Sequence, residues 1–257
     1  MRQYSKYTKS LEEEVLQLYK DNMQVKEICR VKGVYKDYPT IVAKKYGVMR
    51  GQGRSNDINP ILFRPGTPAS DYWLGYLVSD GNVNYNIKNR SAVISLFTID
   101  EEIKNKYLAY VPGCNLHMQT DTLHKLYFGS IVVCKQLIEL GIVPNKSCII
   151  ELNFPINNNV FRGIFDGDGS VHNKKACVKI TTGSVKLGNQ ITEYLSTVGI
   201  YSKLRIRKGT KTYDVWIERL ADFRKLFDLM YTDIPKNILM ERKYKKYKQT
   251  LKIFNLI

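Results

Sequence analysis

Apolar residues recur at helical spacing near the start of the chain, at Leu11, Val15, Leu16, Leu18 and Tyr19. Ser10, with Glu13 three residues on, reads as an N-cap for that helix. A second short helix is predicted over 25–31, a turn at Gly33-Val34, and a third helix from Pro39 through Ile41, Val42 and Ala43 to Tyr46, closed by Gly47. Helix, helix, glycine turn, helix predicts a small all-α helix-turn-helix head over residues 1–54. Lys36, Tyr38, Thr40, Lys44 and Lys45 then lie near the outer face of the third helix, with Lys44 and Lys45 as DNA contacts. A three-helix packing cap with no DNA contact is the competing expectation. Residues 55–68 read as a linker, because Asn56, Asn59, Pro60, Pro65, Gly66 and Pro68 oppose helix and central strand.

The remainder is an internal repeat, with units over 69–156 and 157–257. The first opens WLGYLVSDGNV (73–83) and the second FRGIFDGDGSV (161–171). Strand-like stretches follow at 91–98 and 176–182, then at 123–128 and 213–217. Amphipathic helices are predicted over 131–140 and 220–231. Related phrases close the units, Gly141-Ile142-Val143-Pro144-Asn145-Lys146 and Asp233-Ile234-Pro235-Lys236-Asn237. Counted from Asp80 and Asp168, Ala92 and Ile94 match Ile180 and Thr182 on one strand face, and Ser91 and Val93 match Lys179 and Thr181 on the other. One face packs on helices and the other faces out, as in an α+β layer.

Charge sharpens this picture. Forty Lys plus Arg against 24 Asp plus Glu gives +16, which points to a polyanionic partner, nucleic acid before anionic membrane. No apolar run has the roughly 18 residues of a membrane span, and the N-terminus lacks a signal core, so an intracellular protein is expected, in cytoplasm, nucleoid or organelle matrix. The cysteines (29, 114, 134, 148 and 177) show no CxxC spacing, and the three histidines (117, 124 and 172) form no ligand cluster.

The openings read as helices with small residues four apart, Gly75 with Ser79 and Gly163 with Gly167. A helical glycine costs about 1 kcal/mol relative to alanine, and close helix approach is the usual compensation. Packed together, the helices would bring Asp80 and Asp168 into proximity at their negative ends, with Gly81 and Gly169 as left-handed stops. Two repelling aspartates there suit a hard divalent cation, and paired carboxylates around such a cation on a basic surface suit phosphodiester hydrolysis. Asp166-x-Asp168-x-Ser170 begins like a calcium loop, but Val171 and Cys177 occupy its glycine and glutamate positions. Glu102-x-Lys104 lies on a helical stretch and reads as a solvated face. The tail from Arg242 to Lys252 is a basic helix carrying Tyr244 and Tyr247; it suits backbone binding or packing on the second unit.

The segments 73–81 and 161–169 resemble the two motifs of the LAGLIDADG homing endonucleases in their single-chain form, and the resemblance extends over about 69–247. The second motif keeps Gly163, Asp166, Gly167, Asp168 and Gly169; the first keeps Gly75, Asp80 and Gly81 but has Val78 where an acid is common. The resemblance implies a pseudo-twofold pair of αββαββα units forming a DNA-binding saddle. It implies Mg²⁺ or Mn²⁺ held by Asp80 and Asp168 with the Ser79 and Gly167 carbonyls, basic residues Lys146 and Lys236 beside the site, and a staggered cut with 3′ overhangs. Saddle contacts would come from Asn84, Asn86, Lys88 and Arg90 in the first half and Lys174, Lys175, Lys179 and Thr181 in the second. The hairpin tip with Arg205, Arg207, Lys208 and Lys211 suits phosphates. The expected protein is a monomeric, metal-dependent, site-specific double-stranded DNA endonuclease. A catalytically silent DNA-binding regulator, or a maturase binding intron RNA, is the alternative. Starting at Met1 and ending Asn255-Leu256-Ile257, the chain reads as its own frame or as intron-encoded rather than as an intein.

Overall fold

The structure, a computed structural model, describes residues 7–21, 23, 25–48, 58–86 and 91–257. It divides into two compact units, 1–54 and 55–257.

The first unit contains α1 (Lys9–Lys20), α2 (Val25–Lys32) and α3 (Tyr38–Lys45). Its core is Val15, Leu16, Tyr19, Ile28, Val34, Tyr38, Val42 and Ala43. Thr8, not Ser10, caps α1, its hydroxyl accepting from the Leu11 N–H at 3.3 Å. Tyr38 is buried at 2% exposure rather than turned outward, because it opens α3 against the other two helices. Lys44 is exposed, while Lys45 Nζ donates to Glu12 Oε2 at 2.7 Å.

In the second unit, residues 60–63 make one 3₁₀ turn whose Asn59 side chain accepts from Ile61 N at 3.0 Å. Ile58 and Phe63 lie in the core, so this part of the expected linker is structural. Proline and asparagine that would break a long helix suit a single short turn. Then come α4 (Pro68–Asp80), β1 (Gly81–Asn86), β2 (Ser91–Thr98), α5 (Glu101–Tyr110), β3 (Asn115–Met118), β4 (His124–Gly129) and α6 (Ile131–Glu139). The second repeat runs α7 (Asn158–Asp168), β5 (Gly169–His172), β6 (Cys177–Thr182), α8 (Val185–Thr197), β7 (Lys203–Ile206), β8 (Tyr213–Ile217) and α9 (Leu220–Tyr231), followed by α10 (Glu241–Ile253).

The sheets are antiparallel and ordered alike, β1-β2-β4-β3 and β5-β6-β8-β7. Gly81 pairs with Leu96 and Gly169 with Ile180, so the structural partner of Ile180 is Leu96, four residues beyond the position found by counting. The first hairpin is four residues longer. An even insertion leaves strand parity intact, which is why Ala92 and Ile94 still face the core.

The two sheets are tied together by α4 against α7. A Cβ on Gly75 would stand 2.1 Å from the Val160 carbonyl oxygen, and one on Gly163 would stand 2.0 Å from that of Tyr72. Neither distance is compatible with any side chain, so the two backbones touch at both glycines. Ser79 Oγ completes the contact, donating to the Ile164 carbonyl at 3.2 Å. Gly81 and Gly169 are not left-handed: their φ values are −86° and −82°, in the extended region. Glycine is needed there for space, since a Cβ would stand 2.4 Å from the carbonyl oxygens of Leu77 and Phe165 as the chain turns directly from helix into strand.

Candidate active site

Asp80 and Asp168 are the last residues of α4 and α7, where unpaired carbonyls make each helix end negative. A Cβ on Gly167 would stand 2.3 Å from Ser79 Cβ and 3.4 Å from Asp80 Oδ2, so the Asp80 carboxyl reaches across to the end of α7. Burial raises the Asp80 carboxyl above its ordinary range, opposed by a hydrogen bond from Tyr76 and by the charges of Lys243 and Lys146. Burial and then the charge of Asp80 push Asp168 up to about 6, opposed by Lys146, Lys243 and a Ser79 hydrogen bond. Asp168 is crowded by protein yet keeps an edge in solvent, where water tempers its repulsion. The two acids therefore share one electrostatic site.

Each helix end is met by a buried lysine. Lys146 Nζ donates to the carbonyls of Val78 at 2.7 Å and Ser79 at 3.0 Å. Its neighbour Asn145 has φ 55°, a left-handed conformation that asparagine tolerates, and this turns Lys146 inward. Lys236 does not play the matching part. It follows Pro235, whose ψ of 137° keeps the chain extended, and its side chain is exposed. The matching lysine is Lys243, on the first turn of α10. Its Nζ donates to Phe165 O at 2.8 Å, Gly167 O at 3.1 Å and Gly169 O at 2.6 Å. Three carbonyls satisfy all three ammonium protons and offset the negative end of α7. Burial pulls Lys243 down to about 8, against the opposing charge of Asp166. Burial likewise lowers Lys146, against Asp168 and Asp80.

The sequence does hint at Lys243. Stepping back along the buried stripe Leu251, Thr250 and Tyr247 by one helical turn lands on residue 243, so this lysine lies on the packed face of α10 while Lys245, Lys246 and Lys248 do not. α10 packs on the second repeat, as one of the two readings of the tail expects: Tyr247 is fully buried and its hydroxyl donates to Phe223 O at 2.7 Å.

Two further residues support the site from within the second motif. Asp166 is buried, and its Oδ2 accepts from Tyr72 OH at 2.9 Å and from Met240 N at 2.8 Å. Burial pushes it up to about 7. Arg162 is also buried and donates to Ile238 O, Met230 O and Asn159 Oδ1, fastening α7 to the segment before α10.

The expected DNA contacts divide. Asn84 is exposed on β1, and Lys174, Lys175, Lys208 and Lys211 are exposed on the second repeat. Asn86 lies at the β1 edge opposite Ser91. Lys88 and Arg90 lie outside the described residues. Lys179 and Thr181 face outward on β6, Lys179 over the Trp216 ring at 5.6 Å. Arg205 pairs with Glu218 at 2.6 Å and Arg207 with Asp214 at 3.0 Å, so neither is an isolated cation. Arg207 also donates to Thr181 Oγ1 at 2.9 Å. Glu102 is no solvated half-motif either: its carboxylate binds Lys106 and the start of α10.

A hard cation fits the donor set. Among the described residues no group of three or more His, Cys, Asp and Glu gathers to form a closed metal site. Two carboxylates at converging helix ends suit an ion that draws its remaining ligands from substrate phosphate and water. The carbonyls of Ser79 and Gly167 each hold a lysine with one lone pair and keep the other.

Comparison with known proteins agrees with this architecture. The family model of the LAGLIDADG-like domain matches residues 156–230. The DNA-directed RNA polymerase subunit Rpo1C of Methanocaldococcus jannaschii is 27% identical over 157 residues, which is 57% of this chain and 17% of that protein. A structure of mesophilic variants of the homing endonuclease I-DmoI superposes with a TM-score of 0.51 at 13% identity, covering 65% of this chain and 97% of that one. The LAGLIDADG meganuclease I-AabMI, bound to uncleaved DNA, gives 0.54 at 12% identity over 74% and 91%. I-DmoI in complex with DNA and Ca gives 0.51 at 13% identity over 66% and 95%. At these identities the likeness is one of fold.

Proposed function

From a chain that carries a LAGLIDADG-like domain and the two-repeat fold of the LAGLIDADG homing endonucleases, we propose a site-specific endonuclease of double-stranded DNA that works with a divalent cation, Mg²⁺ or Mn²⁺. The observation that carries this is the meeting of Asp80 and Asp168 at two helix ends packed backbone to backbone, each with a buried lysine beside it. The solved relatives bound to DNA, one of them with Ca, support the same reading.

Asp80 and Asp168 would hold the cation, with the Ser79 and Gly167 carbonyls beside them. Such an ion supplies charge neutralisation at phosphate and lowers the pKa of water. The chain's own part is electrostatic and geometric. Tyr76 steadies the Asp80 carboxyl by a hydrogen bond, and the Ser79 hydroxyl stands beside Asp168. Lys146 and Lys243 hold positive charge where negative charge grows on a scissile phosphate. One acid and one lysine per repeat give each strand its own half of the site, and cuts placed by the pseudo-twofold would be staggered, leaving 3′ overhangs. The outward sheet faces, with Asn84, Lys179 and the Trp216 ring, would lie on the duplex, and the exposed Lys208 and Lys211 would meet phosphates. The head, through Lys44, would extend the contact as a helix-turn-helix.

The test is cleavage of a duplex library of randomised sequence in Mg²⁺, with sequencing of the new ends. The wild type should release a defined site with 3′ overhangs, and Asp80→Asn and Asp168→Asn should not cut it. Tight binding without a cut in Mg²⁺ or Mn²⁺ would leave a DNA-binding protein in place of a nuclease.

A further inference from the structure

The two lysines reach equivalent places by different routes. Lys146 belongs to the loop after α6, within the repeat whose motif it serves. Lys243 is delivered by α10, and α10 has no side-chain cap of its own: Met240, its N-cap residue, makes no capping bond. The free N–H groups of its first turn need acceptors from elsewhere. One comes from Asp166, as described. The other comes from the first repeat, where Glu102 on α5 takes the Glu241 N–H on both carboxylate oxygens, at 3.3 and 3.1 Å.

Two more contacts join α5 to the same turn. Arg242 pairs with Asp100, the N-cap residue of α5, through two bonds of 3.1 and 2.9 Å. Lys106, one turn beyond Glu102 and paired with it, donates to the carbonyls of Lys236 at 2.6 Å and Leu239 at 2.8 Å. One helix of the first repeat thus supplies an anionic cap, an ion pair and a carbonyl clamp to residues 236–242, immediately before Lys243. Beyond that turn α10 packs on α9 of the second repeat, Tyr244 against Phe227 and Tyr247 against Phe223.

We infer that Glu102, with Asp100 and Lys106, is a positioning residue for Lys243, so that the first repeat sets the basic group of the second half-site. The role of Lys243 rests on the nuclease reading above; its placement by Glu102 does not. Lys146 is placed differently: its Nζ is held by the Val78 and Ser79 carbonyls of α4, and its loop follows α6 within its own repeat. Loss of the clamp should therefore unbalance the two halves of the site.

Lysine acetylation followed by mass spectrometry tests the placement. Lys146 and Lys243 are 8% and 9% exposed and serve as matched reporters. In Glu102→Ala, acetylation of Lys243 should rise by about tenfold, the effect of a lost helix cap, while Lys146 keeps its wild-type rate. Glu102→Gln, which retains a carbonyl oxygen for the Glu241 N–H, should lie between. If Glu102→Ala does not fold, Asp100→Ala removes only the Arg242 pair and should raise the Lys243 rate with the same selectivity. Equal rises at both lysines, or none at either, would overturn the inference. On a duplex labelled in each strand, Glu102→Ala should accumulate DNA nicked in one strand, the same strand that Lys243→Met still nicks and that Lys146→Met spares. Equal slowing of both strands would count against it. A wild type that cuts no duplex would defeat the nuclease reading and leave the acetylation result standing.

Discussion

Replacing Gly163 by alanine pits two effects of opposite sign against each other. In a free helix the change stabilises by about 1 kcal/mol, because alanine loses less backbone entropy than glycine. Here the new Cβ would stand 2.0 Å from the Tyr72 carbonyl oxygen and 2.7 Å from the Tyr76 nitrogen, both backbone atoms of α4. Reaching ordinary contact requires the helices to part by about 1.4 Å, and no rotamer change relieves a backbone clash. Overpacking of this kind costs about 1–3 kcal/mol, and a backbone obstacle places it at the upper end. Net destabilisation of about 2 kcal/mol follows, or a fall of about 4–8 °C in the melting temperature of a unit this size. Calorimetry on the full chain measures it, with the head's transition as internal reference. A melting temperature equal to or above wild type would mean that the backbones do not touch, and the convergence of Asp80 and Asp168 would lose its cause.

Lys243→Met should lower the cleavage rate by about 10²-fold, as for loss of an oxyanion donor, whereas Lys236→Met should leave it within about twofold; parity between the two would refute the reassignment. Cleavage should fall as pH drops through about 6, since protonating Asp168 removes its charge, and added Mg²⁺ should move that limb to lower pH. A rate flat from about pH 5 to 8 would contradict it. Binding followed by Trp216 fluorescence should weaken steeply with salt, and the double change Lys208→Ala with Lys211→Ala should reduce the log-log slope by about 2. An unchanged slope would remove these lysines from the phosphate contacts.

Much of the fold is legible because its signals are local. The strand at 91–98 and the helix at 220–231 follow from periodicity, and the repeat exposes the pairing of units. The helix at 185–197 carries the same kind of stripe, in Leu187, Ile191, Tyr194 and Leu195, and stands in the second repeat where α5, the helical stretch around Glu102 and Lys104, stands in the first. At the site, the two acids are visible because glycine in a helix demands a close neighbour. The second lysine is not, because the phrases around Lys146 and Lys236 are alike while the lysine that meets the end of α7 stands on another element, α10. Both phrases carry proline and asparagine, Pro144-Asn145 in one and Pro235 with Asn237 in the other, and only the placement of α10 reveals which lysine is buried. Arg162 and Asp166 were hidden for a related reason: their partners lie some 70 residues away in sequence, at Ile238 and Met240.

Titration of the Asp168 carboxyl by carbon-13 NMR, in wild type and in Asp80→Asn, tests the sharing of one site without any DNA. With Asp80 neutral, the Asp168 midpoint should fall from about 6 toward the ordinary carboxylate range, and Mg²⁺ should lower it further in the wild type than in the variant. An Asp168 midpoint indifferent both to the charge at Asp80 and to Mg²⁺ would show that the two carboxyls do not form one cation site.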